Sequence, residues 1–517
     1  MHRYFIKSLI LLPLLLQGCN TSISTNQKPN IILIAADDLG WSDIGCYGSE
    51  IKTPNLDRLA SEGMRFTQFH NTSKCFPSRA CLLTGLYAQQ CGYGYSFNGP
   101  FINSITLGNL LQDAGYRTLW SGKHHGLENP VFLGFDRYYG LKDGACNYFN
   151  PGEQRPGEGK PARKGEPGNK RVRSWCIDSI MYEPYTPEAE DFYTTDYFTN
   201  YALHWLEEYR NDEEPFFLYM AYTAPHDPLM AWPEDIARYE GVYDDGYEAI
   251  RKKRYAKQQE MGLIDSTYRL SKERYSTWEQ LDATQKDEEI RKMEVYAAMI
   301  DRLDQNIGRI LDKLKEQGKD DNTLIMFVSD NGASAEMVHI EDDYGEIGTM
   351  TRWSSLGPDW ANVSNTPFRL YKNYSYEGGI NTPFIVWWPD EVKAGTFSEY
   401  PGHLIDIMPT LAAITGAVYP ESHEKKPVIP MQGKSLVHVL KRKKSERKDI
   451  LYWKWQDGRA VRDDHWKIVK EGLENPWELY NMKTDPTETT DLSEAHPDVV
   501  MKMDSLYQVW EHTVEGN

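Results

Sequence analysis

Long apolar runs are almost absent from these 517 residues: after the stretch from Leu9 to Leu16, nothing is long and apolar enough to cross a bilayer as a helix. Positive charge is short as well. Lys and Arg number 57 against 76 Asp and Glu, a net charge of −19, the wrong sign for gripping DNA, RNA or anionic lipid over a broad face. An anionic ligand would have to meet positive charge that is local. Cysteine is sparse: six residues follow Cys19, at positions 46, 75, 81, 91, 146 and 176, with no CxxC and no Cys/His spacing suited to zinc. That excludes a disulfide scaffold and leaves room for one or two bridges. No repeat period or low-complexity tract is visible, which removes the fibrous and disordered classes.

What is present is a globular composition, 40% apolar, 13% aromatic and 26% charged, long enough for a large α/β domain with a smaller companion. The N-terminus reads as an export signal: His2, Arg3 and Lys7 flank the apolar run, and Leu16-Gln17-Gly18-Cys19 closes it. A small residue before Cys19 resembles the lipobox of bacterial lipoproteins, which implies an acylated Cys19 and attachment to the membrane through lipid alone. Cleavage elsewhere with an incidental Cys19 is the other reading. The expected divisions are a signal over residues 1–19, a polar tether over 20–28, an α/β domain over 29–419 and an α+β subdomain over 420–517.

Four apolar runs each end in an abrupt polar cluster. Ile31 to Ile34 leads to Asp37-Asp38-Leu39-Gly40, and Tyr116 to Trp120 leads to Gly122-Lys123-His124-His125. Phe216 to Met220 leads to Pro225-His226-Asp227-Pro228, and Leu324 to Val328 leads to Asp330-Asn331-Gly332. Continuous apolar runs suit strands buried on both faces of a mostly parallel sheet, and ligands bind beyond the carboxyl ends of such strands. Thr53-Pro54 reads as a helix start, and Met299, Leu303, Ile307, Ile310 and Leu314 lie at helical spacing between Val295 and Leu314. Pro151 to Lys170 reads as a long loop, and the charged stretch from Tyr239 to Ile290 as helical. Short strands at 450–455, 458–462, 466–469 and 477–480, with a helix from Pro497 to Trp510, predict a small antiparallel sheet.

Asp37, Asp38, Asp330 and Asn331 are hard oxygen ligands from two strand ends, the composition a Ca²⁺ or Mg²⁺ site requires. Cys75-Phe76-Pro77-Ser78-Arg79 opens a helix that places Cys75 at its positive end, where an anion is favoured. This CxPSR, with Leu83-Thr84-Gly85 downstream, resembles the signature of the type I sulfatases, formylglycine-dependent members of the alkaline phosphatase superfamily. The similarity runs from Pro29-Asn30-Ile31 to Trp477-Glu478-Leu479-Tyr480, and its detail resembles an arylsulfatase-like subgroup of bacterial glycan-degrading lipoproteins.

The resemblance implies a large mixed, mostly parallel sheet covered by helices on both faces, plus the small C-terminal sheet with its helix. It implies that Cys75 is converted by a formylglycine-generating enzyme to an aldehyde whose hydrate is the nucleophile. Asp37, Asp38, Asp330, Asn331 and modified Cys75 match the family's calcium shell; Arg79, Lys123, His125, His226 and Lys372 match its sulfate-binding and proton-transfer residues. One hydrate oxygen would attack sulfur, His226 or Lys372 would serve the departing sugar oxygen, and His125 would take the second hydrate proton to expel sulfate. The expected substrate is a sulfated carbohydrate, with exo action and a periplasmic location as family expectations.

Some positions depart from the family. Asn381 stands where Arg is frequent, His124 where Trp is common, and no small polar sulfate contact is evident over Gly144 to Asn147. Arg462 and His403 are candidates for substrate contact, with packing or an ion pair as the simpler reading of each. Two further functions fit the residues: a phosphonate or phosphodiester hydrolase of the same superfamily, and a catalytically inactive glycan-binding lipoprotein.

Overall fold

Alternate residues of the first strand, β1 (Asn30–Asp37), enter two different cores. Ile32 and Ile34 belong to one, and Ile31, Leu33 and Ala35 to the other. Helices therefore cover both faces, which is why the run carries no polar alternation. The computed structural model describes residues 28–163, 173–274, 276–338, 340, 344–443 and 446–515, so the signal and nearly all of the tether lie outside the described residues.

The main sheet adds β2 (Met64–Phe66), β3 (Arg117–Gly122), β4 (Arg137–Leu141), β5 (Trp175–Ile177), β6 (Ile180–Tyr182), β7 (Phe216–Pro225), β8 (Thr323–Ser329), β9 (Phe384–Trp387) and β10 (Thr396–Ser398). Its order among the described residues is β10-β2-β9-β8-β1-β7-β3-β4-β5-β6. The central strands β8, β1, β7, β3 and β4 are parallel, whereas β9 and β5 pair antiparallel with their inner neighbours. The predicted mixed, mostly parallel sheet is what forms.

One face carries α1 (Pro54–Glu62) and the other α2 (Cys75–Thr84) and α3 (Leu107–Asp113). The α1 face also holds α4 (Thr194–Glu208) and the long α6 (Ala283–Glu316), with α5 (Gly246–Glu260) at its margin; α7 (Ile407–Thr415) joins the α2 face. Pro54 occupies the first turn of α1 as expected, but Thr53 does not cap it: its hydroxyl accepts from Gly45 N and donates to Asp57. The helix expected from Val295 begins at Ala283 instead, because Asp282 and Gln285 form a reciprocal capping box. Residues 239–290 are only partly helical; Gly262, at φ +62°, closes α5, and a turn segment with one 3-10 turn separates it from α6. Residues 151–163 carry neither helix nor strand, and 164–172 lie outside the described residues.

The C-terminal sheet, β11 (Leu451–Trp455), β12 (Gly458–Asp463), β13 (Trp466–Lys470) and β14 (Glu478–Asn481), is an antiparallel meander. Val461, Ile468 and Leu479 pack with Met503, Tyr507 and Trp510 of α8 (Pro497–Glu515), while Trp453, Ala460 and Val469 pack on Leu370, Tyr376 and Ile380. A small sheet is thus pressed against the segment that carries Lys372. All six described cysteines are buried and free, so neither of the bridges allowed by the sequence forms among them.

Candidate active site

The carboxyl ends of β1, β3, β7 and β8 converge where Cys75 begins α2. Asp37 ends β1, and Asp38 follows in a left-handed turn at φ +65°. Gly122 ends β3 at φ +125°, where a Cβ would stand 1.9 Å from Ala221 O; only glycine lets the chain pass β7 and turn Lys123 inward. His125 also sits at positive φ, +61°. Asp330 and Asn331 follow β8.

The ten predicted residues form one buried cluster. Lys123 Nζ donates to Asp37 Oδ2 at 2.6 Å, and Arg79 Nε donates to Asp330 Oδ2 at 2.7 Å. Lys372 Nζ donates to Asp38 Oδ2 at 2.8 Å and lies 3.5 Å from His226 Nε2. Asn331 Nδ2 donates to Asp38 Oδ1 at 2.6 Å. Cys75 closes the ring: its sulfur and oxygen or nitrogen atoms of Asp37 and His226 all lie within 4.8 Å of one another.

Two oxygens in this cluster accept no hydrogen bond, although an Arg79 nitrogen stands 3.9 Å from one of them, Asp37 Oδ1. Asp37 Oδ1 and Asn331 Oδ1 are buried without a hydrogen bond, and carboxylate oxygens of Asp37, Asp38 and Asp330 lie within 4.8 Å of each other. Burial, against the opposing pull of Lys123, pushes the Asp37 carboxyl well above its ordinary range. A crowd of hard oxygen donors with unspent acceptors fits a divalent cation of the Ca²⁺ or Mg²⁺ type.

The proton-handling groups are tuned by the same surroundings. Burial pushes His125 well below its usual value, Lys123 and Arg79 adding to it, so its imidazole is neutral, with Nδ1 unpartnered. Burial also lowers His226, against the pull of Asp38. The His226 Nδ1 atom lies 2.7 Å from Asp227 O; a carbonyl accepts, so Nδ1 carries the hydrogen and Nε2 offers its lone pair toward Lys372. Burial would raise the Cys75 thiol, but Lys123 and Lys372 outweigh it and bring it down to about 6.

Other residues noted in the sequence stand outside this hydrogen-bonded cluster. Arg462 donates to Gln68 Oε1 at 2.6 Å, and His403 packs on Trp453 and accepts from Ile405 N, so both serve packing and hydrogen bonding. His124 is buried against Trp120. Asn147 holds its loop by donating to Ala162 O and Met350 O, while Gly144 lies against the His125 ring. Lys74, Glu336, Asn373, Phe97 and Trp455 also reach this region, and sequence reasoning missed them. Lys74 and Asn373 are chain neighbours of Cys75 and Lys372, a signal that was available; Trp455 comes from the C-terminal sheet and had none.

The sequence profile of the Sulfatase family matches residues 29–417, and that of the N-sulphoglucosamine sulphohydrolase C-terminal region matches 368–511. An arylsulfatase of Klebsiella aerogenes is 33% identical, covering 82% of this chain and 94% of its own. N-acetylgalactosamine-6-sulfatase of Mus musculus is 27% identical, covering 89% of this chain and 75% of its own. The crystal structure of Ps i-CgsB in complex with k-i-k-neocarrahexaose superposes with a TM-score of 0.68 at 26% identity, covering 94% of this chain and 93% of that one. With a profile spanning most of its length and an arylsulfatase a third identical to it, this chain belongs to the sulfatase family and is a sulfatase enzyme.

Proposed function

We propose that the protein removes O-sulfate from a carbohydrate, with Cys75 converted to formylglycine by a maturing enzyme and a divalent cation, Ca²⁺ in preference to Mg²⁺, held by Asp37, Asp38, Asp330, Asn331 and the modified Cys75. The convergence of Lys123, Lys372, His226 and the unpartnered Asp37 Oδ1 on Cys75 at a helix start carries this reading. In the translated chain the Cys75 sulfur occupies the place that a formylglycine hydroxyl would take. The bound cation would supply charge stabilisation and lower the pKa of an oxygen beside it.

The chain's own residues divide the remaining work. Four carboxylates, Asp37, Asp38, Asp330 and Glu336, face four cations, Arg79, Lys123, Lys372 and Lys74. A divalent cation would tip this balance positive, as capture of a sulfate ester by an acidic protein demands. Lys123 and Arg79 flank the sulfate oxygens on one side and Lys372 on the other. The neutral His226, hydrogen at Nδ1, receives a hydrogen bond from Lys372, so Lys372 is the proton donor to the leaving alcohol oxygen and His226 positions it. His125, neutral and unpartnered at Nδ1, is the base that takes a proton from the nucleophile side.

A sugar is favoured by the mouth of the pocket. Phe76, Phe97 and Trp455 form an apolar wall, with Phe76 5.5 Å from Phe97 and 5.3 Å from Trp455, facing the polar edge of Lys74, Glu336 and Asn373. One apolar side and one polar edge suit a pyranose. The relatives acting on or binding saccharides, by their names, support the same class. Lys123 and Lys372 are closed to solvent, so the sulfate must reach a buried centre, which favours a terminal sulfated residue. Residues 1–19 support export and lipid anchoring through Cys19, on the periplasmic side of the envelope. Sulfate release, measured by ion chromatography from a panel of monosulfated hexoses and N-acetylhexosamines against matched phosphate esters, tests the reading. Sulfate esters turned over well ahead of phosphate esters are expected; the reverse order would overturn it.

A further inference from the structure

Glu336 is a charge in the wrong place for a site that attracts an anion. Asp37, Asp38 and Asp330 are fully buried and fit a cation, whereas the Glu336 side chain is 32% exposed at the mouth. Its Oε2 lies 3.0 Å from Lys372 Nζ. Its Oε1 accepts from Lys74 Nζ and, at 3.2 Å, from Asn373 Nδ2. Neutralising Lys372 does not require it, because Asp38 already stands 2.8 Å from that ammonium. A carboxylate this close to the sulfate pocket costs binding through repulsion unless the alcohol half of the substrate uses it.

The surroundings say what would use it. The loop carrying Glu336 leaves β8 through Asn331 and is pinned where Lys372 N donates to Ala333 O and Glu336 N donates to Ser334 Oγ. Asn373, at φ +77°, accepts from Trp455 Nε1 at 3.2 Å and so joins the polar edge to the aromatic wall. Lys74 also faces the Trp455 ring, 6.0 Å from its centre. Were the sulfate group held among Lys123, Lys372 and Cys75, a ring lying along Phe76, Phe97 and Trp455 would turn its substituents toward the polar edge that carries Glu336. Burial would raise this carboxyl, but Lys372 and Lys74 hold it far below the ordinary range, so it accepts hydrogen bonds and donates none. A hydroxyl group is the neutral donor that fits.

Resting on the sugar-sulfatase reading above, we propose that Glu336 is a specificity-determining residue, accepting a hydrogen bond from a hydroxyl beside the sulfated carbon. It selects sulfates that carry this hydroxyl over those that lack it. The ester bond that breaks and the groups that break it are unchanged; Glu336 acts on where the alcohol half sits. A site that hydrogen-bonds a hydroxyl favours substrates that carry it over analogues that lack it, because only the former make the bond.

Steady-state kinetics of mature wild type, Glu336→Gln and Glu336→Ala test this on two probes. One is the monosulfated hexose or N-acetylhexosamine that wild type turns over fastest; the other is its analogue deoxygenated beside the sulfated carbon, which lacks the hydroxyl yet leaves as the same kind of alcohol and needs the same proton from Lys372. The expected result for Glu336→Ala is a loss of about 10- to 100-fold in kcat/KM on the sugar, the range for a charge-assisted hydrogen bond, with less than about 3-fold loss on the deoxy analogue. Glu336→Gln, which keeps an acceptor oxygen, should fall between wild type and Glu336→Ala on the sugar. Equal losses on both probes would show that Glu336 only orients Lys372, and no loss on the sugar would show that it does nothing for the substrate; either overturns the proposal. Wild type carrying the aldehyde at Cys75 yet inactive on both probes would overturn the sulfatase chemistry itself, and this inference with it.

Discussion

Glu377 Oε1 accepts from Lys467 Nζ at 2.7 Å with both side chains closed to solvent. The bond joins β13 of the C-terminal sheet to the segment five residues beyond Lys372. His70, on the approach to Cys75, lies 3.1 Å from Glu377 Oε2, and Glu488 lies 2.7 Å from Lys467. One buried network thus ties the C-terminal sheet to both chain segments that present Cys75 and Lys372.

Removing its cation leaves two buried carboxylates facing each other. Lys467→Met is expected to destabilise the protein by about 3 to 5 kcal/mol, and Lys467→Met with Glu488→Gln to recover part of that loss. Thermal and urea unfolding of the three proteins measure it. A single variant as stable as wild type would contradict the role given to Lys467.

Asp227 gives a pH dependence. Burial pushes its carboxyl up to about 7, against a hydrogen bond from Ser355 and with Asp38 adding to the rise. In the unfolded chain the same group releases its proton near pH 4. Its contribution to stability is therefore full below about pH 4 and is lost as the pH climbs through about 7. Asp227→Asn, neutral at every pH, should gain on wild type by on the order of 2 to 4 kcal/mol between pH 4 and pH 8. Stability curves that stay parallel across that window would refute the assignment.

The oxygen cluster at Asp37 and Asn331 predicts a cation effect visible without turnover. Adding Ca²⁺ to metal-stripped protein should raise its unfolding temperature, with a stabilisation of about 2.7 kcal/mol at one hundred times Kd. Asp37→Asn, which alters the unpartnered Oδ1 position, should respond far less. Differential scanning calorimetry with Ca²⁺, Mg²⁺ and chelator reads this directly; no response to either ion would exclude the site.

Much of this site was legible before the fold, and the reason is physical. Strands buried on both faces must be apolar throughout, so the abrupt polar clusters at Asp37, Lys123, His226 and Asp330 mark strand ends without any knowledge of pairing. Cys75 to Arg79 is compact because one helix turn holds it. The mouth was not legible. Lys74 and Glu336 are 262 positions apart, and only the closure of two loops over the sheet brings them together. Trp455 reaches Asn373 from a different sheet, which no local pattern records. The capping box at Asp282 and Gln285 was hidden in a run so charged that its helix start did not stand out.

Everything proposed for this site depends on Cys75 becoming the nucleophile after conversion to formylglycine. Peptide mass spectrometry of protein made with a formylglycine-generating enzyme, followed through the segment from Lys74 to Arg79, tests it most directly. Position 75 is expected to have lost its sulfur and to react as an aldehyde, and sulfate release is expected to disappear in Cys75→Ala. An unmodified thiol in protein that still releases sulfate from a sugar would contradict it.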